Sequence, residues 1–395
     1  MLWDREIELE LAERREKRLE RELHLLEGSA EPVTRVDGRE MLVFGSNNYL
    51  GLATHPLVVE AAVEATRRYG TGSGGSRLTT GNFALYEDLE TELARFKGTE
   101  AALVFASGYA TSVGVIPALV DEGDILLSDA LNHASIVDGC RLSRAERRVY
   151  PHCDPDFIAF ALRERRRYRR ALIVTDGVFS MDGDIAPLEP LLNVAEEFDA
   201  TVLVDDAHAV GVLGDRGSGT AERFGLSGHP SLIQMGTLSK ALASVGGYLA
   251  SSRAVVALCR QRSRSFVYST ALPASALAAA RAALRVLQSE PALRTRLREN
   301  SETFRAMLRR AGFRVAAGET PILPLHVGAA GDTVDVARAC FRRGLYVTAI
   351  RPPTVPEGTS RLRLSVMATH ETRHLEAAAR ILTEAFREVR PALIP

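Results

Sequence analysis

Four apolar runs in this chain each end on residues able to do chemistry. ALIVT (171–175) is followed by Asp176, Gly177, Val178, Phe179 and Ser180. TVLV (201–204) runs into Asp205, Asp206, Ala207 and His208. LIQMG (232–236) precedes Thr237, Leu238, Ser239 and Lys240, and DILLS (124–128) leads to Asp129, Asn132 and His133. In an open α/β sheet, ligands bind at the carboxyl ends of the strands. One such ending arises easily by chance. Four together, offering acids, imidazoles, a hydroxyl and an amine to one edge, read as an active site.

Lys240 stands in GTLSKALASVGGY, with no other charged residue between Met235 and Ser252. A dry, confined site disfavours the charged ammonium, which makes the amine a nucleophile and proton carrier suited to Schiff-base chemistry. On this segment alone, a lysine that lays its stem on apolar surface and reaches water weighs equally. Asp205, directly after a buried run, needs a cationic partner. A protonated pyridine nitrogen meets that need, and the pairing keeps the ring electron-poor, as pyridoxal 5′-phosphate (PLP) requires to act as an electron sink. His208 reaches the same region, near the ring's phenolic oxygen. The plainer reading is an Asp that caps the next helix beside a core histidine.

SGYATSVGVIPAL (107–119) opens a helix after the run AALVFA. Gly108 and Tyr109 would present backbone N–H groups there, and helix N-termini bind phosphate. Thr237 is a second candidate phosphate ligand. GTGSGGSRLTTGN (70–82) matches neither common glycine-rich nucleotide motif and reads as a flexible loop, or as one that closes over a substrate. No G-x-S-x-G occurs, so a hydrolase nucleophile elbow is absent.

Composition and periodicity predict the scaffold beneath these groups. The chain has 395 residues, 46% hydrophobic and 25% charged, with a formal net charge of −1. That length suits one large α/β domain with a smaller partner. The charge balance points to neither nucleic acid nor a membrane surface as partner. The charged N-terminus, the lack of an apolar run of about 18 residues, and four cysteines without a C-x-x-C pair lead to the expectation of free thiols in the cytoplasm.

Residues 4–26 read as one amphipathic helix stopped by Gly28. Strands are expected at 101–106, 125–128, 171–175, 201–205, 232–236 and 247–251. They alternate with helices, as in a mostly parallel sheet covered on both faces. A helical stretch to about Ala311 comes next, then strands near 322–327, 345–349 and 362–366 and a helix over 371–388. The expected division is an N-terminal helix and short extended segment at 1–44, a large domain at 45–280 and a small α+β domain at 281–395. The basic run Arg163–Arg170 reads as a solvated helix face.

SNNYLGL, GSGGSRLTTGN, SGYATS, NHASIVDGCRLS, TDGVFSMDGDIAPL, VDDAHAVGVLG, GTLSKALAS, YSTALP and IRPPTVPEGTSRLRLSV occur in this order. Together they resemble the α-oxoamine synthases of the aspartate-aminotransferase-like PLP fold (fold type I). The resemblance implies Lys240 as the Schiff-base lysine and His133 as the histidine stacked on the ring. It implies Asp205 on the pyridine nitrogen and His208 by the phenolic oxygen. Asp176 and Ser180 fall close to cofactor and substrate, and Gly108, Tyr109 and Thr237 fall in the phosphate cradle. Thr270 matches a residue that reaches the neighbouring subunit's phosphate, which implies a homodimer with shared sites. Asn47 and Arg361 match positions that hold the amino acid carboxylate, and Arg21 could reach the acyl donor. No metal is implied. Two positions depart from the family pattern: Ala209 stands where glycine is usual, and Ser112 where asparagine often stands.

The implied reaction is a decarboxylative condensation of an amino acid with an acyl-CoA or acyl-carrier-protein thioester. TAIRPPTVPEGTSRLRL points within the family to L-alanine and a pimeloyl thioester. Glycine C-acetyltransferase, a broad-specificity relative and a non-catalytic partner subunit are the alternatives.

Overall fold

The apolar runs become strands because each is long enough, and apolar enough, to be covered on both faces. The structure, a computed structural model, describes residues 2–393. Its strands in chain order are β1 (Val33–Val36), β2 (Arg39–Val43), β3 (Ala101–Phe105), β4 (Ile125–Asp129), β5 (Glu146–Tyr150), β6 (Ala171–Asp176), β7 (Thr201–Asp205), β8 (Leu232–Thr237), β9 (Gly247–Ser251), β10 (Ile322–Gly328), β11 (Leu345–Tyr346), β12 (Thr348–Ile350) and β13 (Ser360–Ser365). The chain divides into two units. One comprises Met1–Gly51, Met181–Gly183 and Thr295–Pro395, and the other Leu52–Ser180 and Asp184–Arg294.

The larger unit holds a seven-stranded sheet in the order β3-β9-β8-β7-β6-β4-β5. Every residue of β4, β6, β8 and β9 is buried. Successive side chains point to opposite faces, so each strand feeds two cores. Leu126, Leu172, Val174, Leu203 and Met235 pack on one face with the helix Gly108–Leu119. Ile125, Leu127, Ile173, Val202 and Val204 pack on the other with the helix Leu188–Glu197. A fully buried Leu, Ile or Val side chain contributes about 1.5–3 kcal/mol. A charge placed mid-strand would therefore lose that burial and bury an unpaired ion as well.

Only β9 runs against its neighbours, antiparallel to both β8 and β3. Two reversals restore direction, so β3 ends at the same edge as β4, β6, β7 and β8. The expected strands of this sheet are all found, and β5 (ERRVY) adds an edge strand. Its sequence hides it because four of its five residues are not buried.

The smaller unit carries the sheets β1-β2-β11 and β10-β13-β12. Its core includes Phe44, Phe304, Leu323, Leu362, Leu364 and Phe386. The N-terminal helix stops at Glu16 rather than near Leu26. Its leucines are largely exposed, Leu9 at 66%, and Leu23 beyond its end is 99% exposed, so the partial stripe has little burial to extend it. The helical stretch after Pro273 is two helices, Ala274–Ser289 and Pro291–Arg310, broken where Pro291 removes a donor. The basic run is not a helix face. It folds as a short 3₁₀ turn in which Arg165 donates to the Asp199 and Tyr168 carbonyls and Arg169 pairs with Asp124.

The four cysteines are free thiols. Among the described residues, no helix is long and apolar enough to cross a membrane.

Candidate active site

The carboxyl ends of the larger unit's strands, and the loops leaving them, supply the site. Asp176 and Asp205 end β6 and β7 and are register partners across the parallel ladder. Both are buried, with 2% and 7% exposure. Burial and the neighbouring Asp205 push the Asp176 carboxyl well up, and burial likewise raises Asp205 against the pull of Lys240. Asp205 Oδ1 accepts from the Ala207 N–H at 2.9 Å. Among the described residues it has no salt-bridge partner.

Lys240 lies in the loop joining β8 to β9. Its Nζ is 2.8 Å from His208 Nε2, in the turn after β7. That turn is set by Asp206, whose N–H donates to the Met235 carbonyl and whose carbonyl accepts from Ala209 and Val210. Ala209 is fully buried and keeps φ negative, so the turn has no need of the glycine usual there.

His133 caps the helix Ala134–Leu142 after β4. Its N–H donates to Asp176 Oδ2 at 2.7 Å, and its Nδ1 lies 2.8 Å from Ser135 Oγ. Burial, with the positive Lys240 nearby, lowers its pKa. Asn132 fixes this loop: its amide donates to the Val174 carbonyl at 2.8 Å, and its oxygen accepts from the Asp176 N–H at 2.8 Å. Ser112 is buried and lies 3.1 Å from Ser135 Oγ, so the serine departure is tied into the His133 support.

The helix Gly108–Leu119 begins beside Thr237. A Cβ on Gly108 would sit 3.2 Å from both Thr237 Cβ and Oγ1, a space glycine leaves open. Ser107 caps this helix by accepting from the Ala110 N–H at 3.0 Å. Beside that helix N-terminus, the Thr237 hydroxyl donates to the Gly246 carbonyl at 3.0 Å and lies 2.7 Å from Ser239 Oγ. Tyr109 is half exposed and bonds Asp138 Oδ2 at 2.9 Å. Ser180 is buried just past β6, and Thr270 is exposed and bridges Ser76.

The glycine-rich segment is not a free loop. Arg77 pairs with the Glu90 carboxylate, donates to Asn82 Oδ1 at 2.8 Å and lies 3.9 Å over the Tyr86 ring. Ala271 N–H donates to the Gly75 carbonyl at 3.0 Å, and the Ser73 hydroxyl to the Ala271 carbonyl at 2.8 Å.

Asn47, Arg361 and Arg21 belong to the smaller unit. Arg361 is only 4% exposed. It pairs with Asp182 and donates to the Thr359 carbonyl at 2.9 Å. Arg363 donates to Asn47 Oδ1 at 3.1 Å and to Ser365 Oγ at 2.8 Å. Arg21 is exposed.

Sequence reasoning missed His152. Its two ring nitrogens lie 3.0 Å from Asp129 Oδ1 and 2.8 Å from Asp184 Oδ2, which pushes its pKa up to about 12. Asp129 also accepts from the Leu131 N–H at 2.8 Å, so this imidazolium braces the loop that carries His133. Asp129, His152 and Cys153 bring metal-ligand atom types within 4.8 Å of one another. A protonated ring with both nitrogens committed offers no lone pair to an ion.

Residues 39–382 match the family described as aminotransferase class I and II. The chain belongs to the aminotransferase class I and II family. It is 51% identical over 387 residues to the 8-amino-7-oxononanoate synthase of Geobacter sulfurreducens, covering 98% of this chain and 99% of that one. Among solved structures it is similar to serine palmitoyltransferase from S. paucimobilis with a bound PLP–myriocin aldimine. There the TM-score is 0.88 at 32% identity, covering 93% of each chain. It is also similar to the 8-amino-7-oxononanoate synthase of Francisella tularensis, with a TM-score of 0.76 at 26% identity over 88% of this chain and 98% of that one. The mostly parallel sheet with helices on both faces is the fold of this aminotransferase family.

Proposed function

We propose that this protein is a PLP-dependent acyltransferase that condenses L-alanine with a pimeloyl thioester, giving 8-amino-7-oxononanoate, carbon dioxide and free thiol in biotin biosynthesis. The observation that carries the chemistry is the Lys240 amine beside His208, at the edge where Asp176 and Asp205 end adjacent strands. The choice among acyltransferases rests on the near-full-length identity to the Geobacter enzyme.

The residues present fit the cofactor. Asp205 is a buried acid lacking a salt-bridge partner among the described residues, as a pyridinium nitrogen requires. The N-terminus of the Gly108 helix lies close beside Thr237, and backbone N–H groups at such an end suit a phosphate. When bound, PLP supplies an electron sink for negative charge at the substrate α-carbon. With the cofactor bound, Lys240 would be the amine that holds it and would take and return the substrate α-proton. His208, within hydrogen-bond reach of that amine, steadies its position and its proton. Asp205 would hold the cofactor's pyridine nitrogen, and His133 would pack against the cofactor and aid loss of carbon dioxide. Asn47 and Arg361 are assigned to the amino acid carboxylate and Arg21 to the acyl donor. Thr270, exposed beside the pinned glycine-rich segment, is assigned to the partner copy's phosphate in a homodimer. The free thiols support work in the cytoplasm.

The test is kcat/KM for alanine, glycine and serine against pimeloyl, acetyl and palmitoyl thioesters, carried on CoA and on a carrier protein. Alanine with pimeloyl should win by at least tenfold, about 1.4 kcal/mol of transition-state preference. Glycine with acetyl-CoA ahead by that margin would move the assignment to glycine C-acetyltransferase.

A further inference from the structure

The residue after Asp205 is engaged in the most deeply buried ion pair described in the molecule. Lys97 Nζ donates to Asp206 Oδ2 at 2.6 Å, and both side chains are 0% exposed. The same ammonium donates to the Ser218 carbonyl. Asp206 Oδ1 accepts from the Thr220 hydroxyl at 2.6 Å and the Thr220 N–H at 3.2 Å. Two glycines make room for this arrangement. A Cβ on Gly219 would lie 2.3 Å from Asp206 Oδ2, and one on Gly177 would lie 2.5 Å from Asp206 Oδ1. Gly177 directly follows Asp176, so the pair sits behind both strand-end acids. Lys97 is the last residue of the helix Ala84–Lys97. A hydrophobic residue there would fill the space without adding a charge.

We propose that Lys97 is a positioning residue for the cofactor: its ammonium cancels the Asp206 charge, so the adjacent Asp205 carboxyl stays ionised and able to hold a pyridinium. This rests on the PLP reading above. Three acids, Asp176, Asp205 and Asp206, crowd the ends of two neighbouring strands. Each additional negative charge makes ionisation of Asp205 harder, and a buried cation beside one of them makes it easier. The charged or titratable groups near Asp205 are Asp206 in the turn after β7, Asp176 on β6, Lys240 after β8 with His208 bonded to that amine, Lys97 from its helix and the buried Tyr248 hydroxyl on β9. Of the charged groups beside Asp205, only Lys97 and Asp206 can be changed without touching one assigned to the cofactor or substrate.

The experiment is the equilibrium dissociation constant for PLP as a function of pH, by absorbance titration of the stripped full-length protein. Lys240 and the phosphate are present unchanged in every variant, so the variants are compared by their differences in the acid limb, where protonation of Asp205 weakens binding. Lys97→Met removes the cancelling charge and should move the acid limb up by about one pH unit. Asp206→Asn leaves Lys97 unopposed beside Asp205 and should move it down. The double variant Lys97→Met/Asp206→Leu removes both charges, replaces the pair with apolar volume and should return the limb to the parent's. Both single variants shifting the same way, or neither shifting, would overturn the proposal. If a single variant does not fold, the double variant decides: a limb displaced from the parent's rejects the idea. A parent chain that binds no PLP at any pH would instead defeat the reading beneath it.

Discussion

Lys240 Nζ and His208 Nε2 stand 2.8 Å apart, joining the loop after β8 to the turn after β7 by one side-chain hydrogen bond. Both residues are in the larger unit, as are Asp205 and the N-terminus of the Gly108 helix, the groups assigned to the cofactor.

Lys240→Ala should abolish the visible Schiff-base absorbance that borohydride bleaches in the parent, and with it all turnover. Reduction with borohydride followed by peptide mass mapping should locate the cofactor on Lys240. A reducible chromophore surviving in the variant would show that another amine holds it.

Asp205→Asn should still load at saturating PLP but lose several orders of magnitude in turnover. The amide cannot keep the ring nitrogen protonated, so the loss should appear in kcat rather than only in KM. Substrate α-proton exchange, followed by NMR in deuterated water, should fall in parallel. Near-normal exchange would contradict the role.

His152→Gln should destabilise the protein in a pH-dependent way. The pKa of His152 is raised in the folded state by Asp129 and Asp184. The contribution is therefore complete below the unfolded value of about 6.5 and declines as pH rises from there toward about 12. The difference in urea midpoint between parent and variant should be largest near pH 6 and smaller near pH 9. An equal difference at both would remove the charged brace from the account.

Arg361→Lys should raise the amino acid KM by about tenfold or more while sparing the melting temperature, because an ammonium cannot make two parallel hydrogen bonds to a carboxylate. The opposite pattern, unchanged KM with a lowered Tm, would make Arg361 only the structural partner of Asp182.

Much of the site is legible in the sequence because buried parallel strands write themselves as unbroken apolar runs, and the residue after each run must face the ligand edge. Asp176, Asp205, His208 and Lys240 stand out for that reason. Their supports do not. Lys97 ends the stretch LETELARFK, which reads as an ordinary amphipathic helix, and only the fold shows its ammonium meeting Asp206 far along the chain. Arg361 is visible through the motif IRPPTVPEGTSRLRLSV, whereas its acid, Asp182, lies in a three-residue piece of chain that clusters with the smaller unit. His152 stands between two distant aspartates that no local spacing connects. The N-terminal helix is shorter than its leucine spacing suggests, because that spacing is helical while the burial needed to sustain it is absent.

The Arg77 anchorage has a thermodynamic consequence. A thirteen-residue glycine-rich segment has much conformational entropy to lose on ordering. Here that loss falls on folding, since Arg77, Glu90, Asn82 and Tyr86 hold the segment through contacts internal to the larger unit. Any ligand that reaches this segment meets a surface already ordered, and its binding is not offset by freezing this stretch of backbone. Binding at a surface ordered in advance carries a heat-capacity change set by the apolar area buried, without a contribution from loop ordering.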